Sequence, residues 1–300
     1  MLRRRCRRYD CASMSSLLSR LPRSMVRYFA TAVVIIVTFY VVLIVALWRG
    51  QERIIWRPPR VETHVDQEVR RIAYTADDGQ RLHAFLIGDL ADAPGLLIFF
   101  HGNAEVATWR SPWARAVVQH TGWAVLLPEY RGYDGLTGTP SYESSRRDAV
   151  AAYRIALQQT GVDSTRIAFY GHSLGSAVAA ELATSHRPAA LILGSPFTSL
   201  REMVRQVAGP MVSTTWRAIG RVRFDTRARV ATLDVPVSVS HGDRDQVIPV
   251  RMGREVYAAA RRPAELLIVS GAGHNDVPDI GGDAYWTWLS RALAAAIAAR

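Results

Sequence analysis

Three hydrophobic patterns follow one another along this 300-residue chain. Residues 28–48 form an uncharged, strongly apolar stretch of twenty-one residues. Alternating apolar and polar residues then flank the Asp78-Gly79 turn, over residues 69–75 and 81–87, and such a pattern indicates a β-hairpin. From residue 96 onwards, short continuous apolar runs alternate with longer amphipathic segments. This last pattern is typical of a mainly parallel sheet with helices on both faces.

The pattern predicts eight strands: residues 69–75, 81–87, 96–100, 123–127, 166–170, 189–193, 236–240 and 266–269. It also predicts helices over residues 104–120, 144–159, 177–183, 251–261 and 284–300, with one or two more between residues 195 and 235. That interval is too short for a large lid domain. We therefore expect an α/β domain over residues 69–300, with an eight-stranded, mostly parallel sheet and a minimal lid.

The apolar stretch predicts one transmembrane helix over residues 28–48. At about 1.5 Å per residue it spans roughly 30 Å, the thickness of a hydrocarbon core. Tyr28 and Trp48 lie at its ends, where interfacial aromatic residues are expected. A cleaved signal peptide has a shorter apolar run, which a cleavage site with small residues follows. The sequence after Trp48 contains no such cleavage site. We expect a signal anchor, preceded by a basic tail (1–27) and followed by a linker (49–68).

The net charge of +11 lies almost entirely in the first sixty residues, which contain twelve arginines and two acidic residues. The rest of the chain is close to neutral, so it has no basic face for a nucleic acid. Eight arginines precede the apolar stretch and four soon follow it. This bias predicts a cytoplasmic N-terminus and a periplasmic or otherwise extracytoplasmic domain.

Both cysteines, Cys6 and Cys11, lie in the basic tail. The predicted globular domain therefore contains no disulfide. Cysteines near a membrane can be acylated, and two free thiols in a basic tail are the simpler alternative.

The pentapeptide GHSLG, residues 171–175, is the most informative motif of the chain. It follows a predicted buried strand and precedes a predicted helix rich in small residues. A G-x-S-x-G sequence in this position bends the chain sharply and exposes the serine hydroxyl at the turn. The motif therefore predicts that Ser173 is a nucleophile.

A serine nucleophile needs a base, and the base needs a third group to orient it. After an elbow of this kind the acid and the histidine follow later strands, in the order Ser, Asp, His. His274 follows the last predicted strand on a Gly-rich loop and is the candidate base. Asp245, after the seventh strand, is the candidate acid. Asp243 is the alternative acid, although we expect it to cap the turn through its own backbone.

The oxyanion of an acyl-transfer intermediate needs preorganised N–H donors. The elbow predicts the backbone N–H of Leu174 as one donor. The second is expected from the loop after the third strand, where we assign the N–H of Asn103 and keep Ala104 as the alternative. This chemistry requires no metal and no organic cofactor. Five residues are candidates for an acyl pocket, although core packing is the commoner role for such side chains: Trp109, Trp113, Tyr133, Phe197 and Met203.

Six blocks carry a resemblance to a known family: HGNA (101–104), YRGY (130–133), GHSLGS (171–176), SPFTSL (195–200), HGDRD (241–245) and GHN (273–275). In this order they resemble the α/β-hydrolase superfamily of serine hydrolases. The chain is most similar to the largely lidless members, which include membrane-anchored bacterial proteins described as peptidases or esterases and eukaryotic α/β-hydrolase-domain depalmitoylases. The resemblance implies an α/β-hydrolase fold. Glu105 and Asp134 stand where family members often have Gly, so we expect an altered pocket rim.

These observations together predict a membrane-anchored serine hydrolase that cleaves carboxylic esters or thioesters through an acyl-enzyme on Ser173. The expected substrate is a small acyl ester or thioester, or an acyl group presented at a surface. A serine peptidase of the same fold is one alternative, although no extended peptide cleft is indicated. A non-catalytic, membrane-tethered binding protein is the other, and the ordered Ser, Asp and His disfavour it.

Overall fold

The computed structural model describes residues 22–61, 69–160 and 162–298. Most of the predicted basic tail, with Cys6 and Cys11, lies outside the described residues, as do residues 62–68 of the predicted linker. The chain divides into two compact units, Met1–Gly50 and Gln51–Arg300.

Helix α1 (Arg23–Ile55) accounts for the described part of the first unit and for the start of the second. The most apolar 18-residue window of this 33-residue helix has a mean hydropathy of 2.9 and no buried residue. Across the ranges that the structure describes, it is the one helix long and apolar enough to cross a membrane. It extends past Trp48 into the predicted linker and ends shortly before Pro58-Pro59, which cannot continue a helix.

The second unit is built on an eight-stranded sheet in the order β1-β2-β4-β3-β5-β6-β7-β8. The strands are β1 (Arg70–Thr75), β2 (Arg81–Ile87), β3 (Leu96–Phe100), β4 (Ala124–Pro128), β5 (Ile167–His172), β6 (Leu191–Gly194), β7 (Val237–Gly242) and β8 (Pro263–Val269). Strand β2 pairs antiparallel with β1 and with β4, and all the other pairs are parallel. The predicted eight-stranded, mostly parallel sheet is confirmed.

Seven further helices accompany the strands in the described residues: α2 (Ser111–Thr121), α3 (Tyr142–Thr160), α4 (Leu174–Ala183), α5 (Leu200–Ile219), α6 (Thr226–Val230), α7 (Val250–Ala259) and α8 (Val277–Ala298). Strand side chains alternate between two cores, as the pleat requires. Ile98 of β3 belongs to the core that includes residues of α3, α4 and α7, whereas Leu97 and Phe99 belong to the core that includes residues of α2 and α8. Helices therefore cover both faces of the sheet, as predicted.

One difference from the predicted elements lies after β3. The predicted helix over residues 104–120 begins only at Ser111, after an irregular loop and a short 3-10 turn, Ala107–Arg110. Ala104 has a φ of +55°, a left-handed conformation that an α-helix cannot contain. Pro112 then occupies the first turn of α2, where its missing N–H costs nothing.

Candidate active site

The site lies at the carboxyl edge of the sheet. The chain leaves β3 toward β4 and later returns to β5 on the other side of β3, so the strand order reverses there. A crevice forms at the carboxyl ends of parallel strands at such a point. Asn103 follows β3 and Ser173 follows β5, while Asp245 and His274 follow β7 and β8.

The nucleophile elbow depends on two close backbone approaches. Ser173 lies between β5 and α4 with φ 53° and ψ −118°, a strained conformation for a residue with a Cβ. A Cβ on Gly171 would overlap the Gly175 carbonyl, and a Cβ on Gly175 would overlap the carbonyl oxygen of Phe100. Only glycine fits at both positions, so the strained turn is held by the packing around it.

The structure brings the three residues of the predicted triad together. His274 Nε2 lies 2.9 Å from Ser173 Oγ, and His274 Nδ1 lies 2.7 Å from Asp245 Oδ2. With the proton on Nδ1, His274 donates to the carboxylate and accepts from the serine hydroxyl. The arrangement has the geometry of a relay that activates a serine, although its members are 101 and 29 residues apart in the chain.

Asp245 is held as a carboxylate by the groups around it. Its Oδ1 accepts hydrogen bonds of 2.8 Å from the N–H groups of Val247 and Ile248. Its Oδ2 faces His274 and lies 3.2 Å from Nε2 of the buried His241. Burial alone would raise the pKa of Asp245, but the hydrogen bonds from both histidines outweigh it and hold the pKa well below its usual range. The carboxylate therefore stays ionised beside His274.

The alternative acid, Asp243, has a different role from the one expected. Its carboxylate accepts from Ser270 Oγ (3.0 Å) and from the N–H of Gly271 (2.7 Å). It therefore ties the loop after β7 to the loop after β8, instead of capping its own turn. Asp276 shapes the loop after β8 that carries His274 (the histidine loop), because its carboxylate accepts a hydrogen bond of 2.6 Å from the N–H of Gly273.

The loop after β3 (residues 101–105, the oxyanion loop) and the start of α4 place the two predicted oxyanion donors near Ser173. Leu174 is the first residue of α4, so its N–H has no acceptor within the helix. A Cβ on Gly102 would lie 3.2 Å from Ser173 Cβ, which shows how closely the loop approaches the serine. The N–H of Ala104 donates to Asn103 Oδ1, whereas the N–H of Asn103 has no acceptor among the residues that the structure describes. The geometry favours Asn103 over Ala104.

His101 holds the start of the loop after β3. The residue is fully buried, and its Nδ1 and Nε2 lie 2.8 Å from the Gly102 carbonyl and from Glu129 respectively. Burial alone would lower the pKa of His101, but the Glu129 carboxylate outweighs this and raises it.

A charged cluster beside the serine was not predicted from the sequence. Glu105 accepts from the N–H of Gly102, and its Oε2 lies 2.6 Å from Arg110. Burial alone would raise the pKa of Glu105, but His172 and Arg110 hold it well below its usual range. Burial lowers the pKa of His172, whose Nε2 donates to the carbonyl of His274 at 3.1 Å. The cluster thus connects the oxyanion loop to the histidine loop.

An open, largely apolar cavity of about 770 Å³ surrounds Ser173 and His274. Phe197, Met203 and Trp109 line it, as three of the five predicted acyl-pocket residues. Ile54 and Ile55, at the end of α1, also line it and were not predicted. Across the ranges that the structure describes, no cluster of His, Cys, Asp and Glu has the arrangement of a metal site.

The other two predicted pocket residues do not line the cavity. Trp113 packs between Phe99 and Tyr170, with ring centroids 4.6 and 5.0 Å away, and Tyr133 is fully buried.

The two departures from the family pattern, Glu105 and Asp134, lie in different places. Asp134 lies 3.5 Å from His83 and does not line the cavity, so only Glu105 changes the site.

Comparison with known proteins gives matches over most of the second unit. A family model described as "Serine aminopeptidase, S33" matches residues 91–224. An uncharacterised protein of Mycobacterium tuberculosis is 35% identical over 242 residues, which are 78% of this chain and 84% of that protein. The α/β-hydrolase domain-containing protein WAV2 of Arabidopsis thaliana is 31% identical over 228 residues, covering 70% and 74% of the two chains.

A vertebrate relative and a solved structure agree with these matches. The α/β-hydrolase domain-containing protein 17B of Xenopus laevis is 30% identical over 199 residues, covering 66% of this chain and 67% of the relative. An esterase of Pyrococcus furiosus superposes with a TM-score of 0.66 over 81% of this chain and 98% of its own, at 18% identity. That likeness concerns the fold alone. The relatives establish that this chain belongs to the α/β-hydrolase superfamily.

Proposed function

We propose that this protein is a membrane-anchored serine hydrolase that cleaves carboxylic esters or thioesters. The observation that supports the proposal most directly is the Ser173–His274–Asp245 relay, with distances of 2.9 and 2.7 Å, at the floor of an apolar cavity. The cavity suits an acyl chain, and the relay suits attack on the carbonyl at the end of that chain.

In the proposed reaction Ser173 Oγ attacks the carbonyl carbon while its proton moves to His274 Nε2. The N–H groups of Asn103 and Leu174 stabilise the oxyanion, and Asp245 stabilises the protonated imidazole. The bond to the leaving alcohol or thiol breaks as His274 returns the proton to it. Water then attacks the acyl-enzyme with His274 as base, which releases the acid and restores the serine.

Membrane anchoring by residues 28–48 is the second part of the proposal. Helix α1 supports it by its length and apolar composition, and the eight arginines before the stretch against four after it favour a cytoplasmic N-terminus. The active site would then face the extracytoplasmic side. Protease added to spheroplasts should digest the second unit, and protection of that unit contradicts this orientation.

Peptidase activity is the second candidate, because the matching family model is described as a serine aminopeptidase. An aminopeptidase needs an acidic group that binds the substrate ammonium. Among the residues described around the cavity the one acidic side chain is Glu105, and both of its oxygens are engaged by Gly102 and Arg110. This occupied carboxylate favours an ester over a peptide with a free N-terminus.

The test is covalent labelling followed by a substrate series. A fluorophosphonate probe should label the wild-type protein and not Ser173→Ala. A p-nitrophenyl ester series, an acyl thioester and a peptide amide should then show ester or thioester cleavage well above amide cleavage. Equal labelling of Ser173→Ala, or no labelling of the wild type, contradicts the proposed function.

A further inference from the structure

The segment Gln51–Arg57, which joins the apolar stretch to the domain, is fixed to the domain by specific contacts. The Gln51 side chain is buried, and its two amide atoms bond to the backbone on either side of Gly220. Gln51 Nε2 donates to the carbonyl of Ile219 at 3.4 Å, and Oε1 accepts from the N–H of Arg221 at 2.6 Å. Trp56 is buried against Phe224, with ring centroids 6.1 Å apart. These contacts are not those of a passive linker.

The other end of this segment is held by the oxyanion loop. The side chain of Asn103 donates from Nδ2 to the carbonyl of Ile55 and accepts at Oδ1 from the N–H of Arg57, at 2.8 Å. The same Oδ1 accepts from the hydroxyl of Tyr133 (3.1 Å) and from the N–H of Ala104 (2.9 Å). Asn103 is therefore the junction between the loop that presents the oxyanion donor and a segment almost fifty residues earlier.

Two side chains of the segment also face the substrate cavity. Ile54, which is 51% exposed, and Ile55 line it together with Leu200, Met203 and Val207 from α5. An acyl chain that extends from Ser173 between these walls buries apolar surface on both sides.

We propose that the segment Gln51–Arg57 is part of the active site: it forms an acyl-binding wall through Ile54 and Ile55 and fixes the oxyanion loop through Asn103. Asn103 is thus a positioning residue through its side chain, in addition to its backbone N–H. The inference rests on the proposed hydrolase function, because both effects act on an acyl group attached to Ser173. It predicts a preference for esters whose acyl chain is long enough to reach Ile54.

The acyl-wall part is tested in the full-length protein in detergent with p-nitrophenyl acetate and decanoate. Ile54→Asp should lower the decanoate-to-acetate ratio of kcat/KM about tenfold, since the chain loses contact with the wall. Ile280→Asp is the matched control, because Ile280 is 54% exposed and does not line the cavity. That control should leave the ratio unchanged. Equal ratios in the two variants overturn the acyl-wall assignment.

The positioning role of Asn103 is tested by a double-mutant cycle with p-nitrophenyl acetate as the substrate. Asn103→Ala keeps the backbone N–H but frees the loop, so kcat should fall about tenfold or more while KM stays within about twofold. Arg57→Pro removes the N–H that bonds to Asn103, so kcat should fall by a similar factor, whereas the Ile280→Asp control should retain the wild-type kcat. The losses in Asn103→Ala and Arg57→Pro should not add in the double variant.

Independent losses, or an Arg57→Pro variant with the wild-type kcat, overturn the positioning role. If thermal unfolding shows that Arg57→Pro does not fold, the kcat-against-KM split of Asn103→Ala decides, and a change in KM alone overturns it. A wild-type protein that neither hydrolyses acetate nor reacts with a fluorophosphonate contradicts the proposed function instead. The two failures are therefore distinguishable.

Discussion

The two sides of the candidate active site are built in different ways. The nucleophile side comprises Ser173, Asp245 and His274, each on a short loop directly after a strand. The oxyanion side comprises residues 101–105 and the segment Gln51–Arg57. On the nucleophile side the backbone positions the reacting groups, whereas on the oxyanion side polar side chains hold pieces of backbone together.

This difference determines how each side should respond to substitution. The backbone of the elbow is packed against β3 and cannot relax, so changes there act on folding and on chemistry at once. The oxyanion side depends on Asn103 and Glu105, whose hydrogen bonds can be removed one at a time. We therefore expect abrupt losses on the nucleophile side and graded losses on the oxyanion side.

The largest expected effect is the loss of the nucleophile or its base. Ser173→Ala and His274→Ala should each lower kcat for a p-nitrophenyl ester about 10⁵- to 10⁶-fold, because neither variant can form the acyl-enzyme by the proposed route. The double variant should be no slower than either single variant, because the two residues act as one unit. Substantial esterase activity in Ser173→Ala would show that Ser173 is not the nucleophile.

The next effect separates the two aspartates of the loop after β7. Asp245→Asn should lower kcat about 10⁴-fold, because the amide favours the wrong tautomer of His274. Asp243→Asn, the matched control, alters only the tie to Ser270 and Gly271 and should stay within about tenfold of wild type. Steady-state kinetics on the same ester measure both variants. Comparable losses of kcat in the two variants would contradict the assignment of Asp245 as the acid of the triad.

The sequence predicted the nucleophile side more fully than the oxyanion side, for a physical reason. The glycines at 171 and 175 are local signals that a strand–turn–helix makes necessary, and the order of Ser173, Asp245 and His274 is the order in which this fold supplies them after successive strands. The partners of the Asn103 side chain are backbone groups 48 and 46 residues earlier, and every residue type has such groups. No sequence pattern indicates a contact of that kind.

The Glu105–Arg110 ion pair was not predicted because the sequence pattern placed both residues in one helix. A helix over residues 104–120 places residues five apart roughly 140° from one another around its axis, so they do not meet. The left-handed Ala104 and the 3-10 turn Ala107–Arg110 replace that helix and bring the two charges to 2.6 Å. The fold itself was predictable, because continuous apolar runs mark strands buried on both faces.

A pair of glycine substitutions compares the stability of the two sides. Gly175→Ala directs a Cβ into the backbone of Phe100, so it should lower the free energy of unfolding by about 3 kcal/mol or more. Gly102→Ala meets the Glu105 carboxylate at 2.8 Å, and that side chain can move, so the loss should be about 1 kcal/mol. Thermal unfolding of both variants measures the difference. Equal destabilisation contradicts the rigid-elbow comparison.

A pH-dependent effect, smaller than that of Gly175→Ala, is expected at Glu105. Its pKa is held below the usual value in the folded protein, so the ionised carboxylate stabilises the fold. That stabilisation is complete above the unfolded pKa of about 4.3 and is lost as the pH falls toward the folded pKa. Glu105→Gln should therefore be less stable than wild type by about 2 kcal/mol at pH 7, and the gap should narrow below about pH 4.3. Unfolding by urea at pH 7, 5 and 3.5 measures this gap, and a gap independent of pH shows that Glu105 acts by packing and not by its charge.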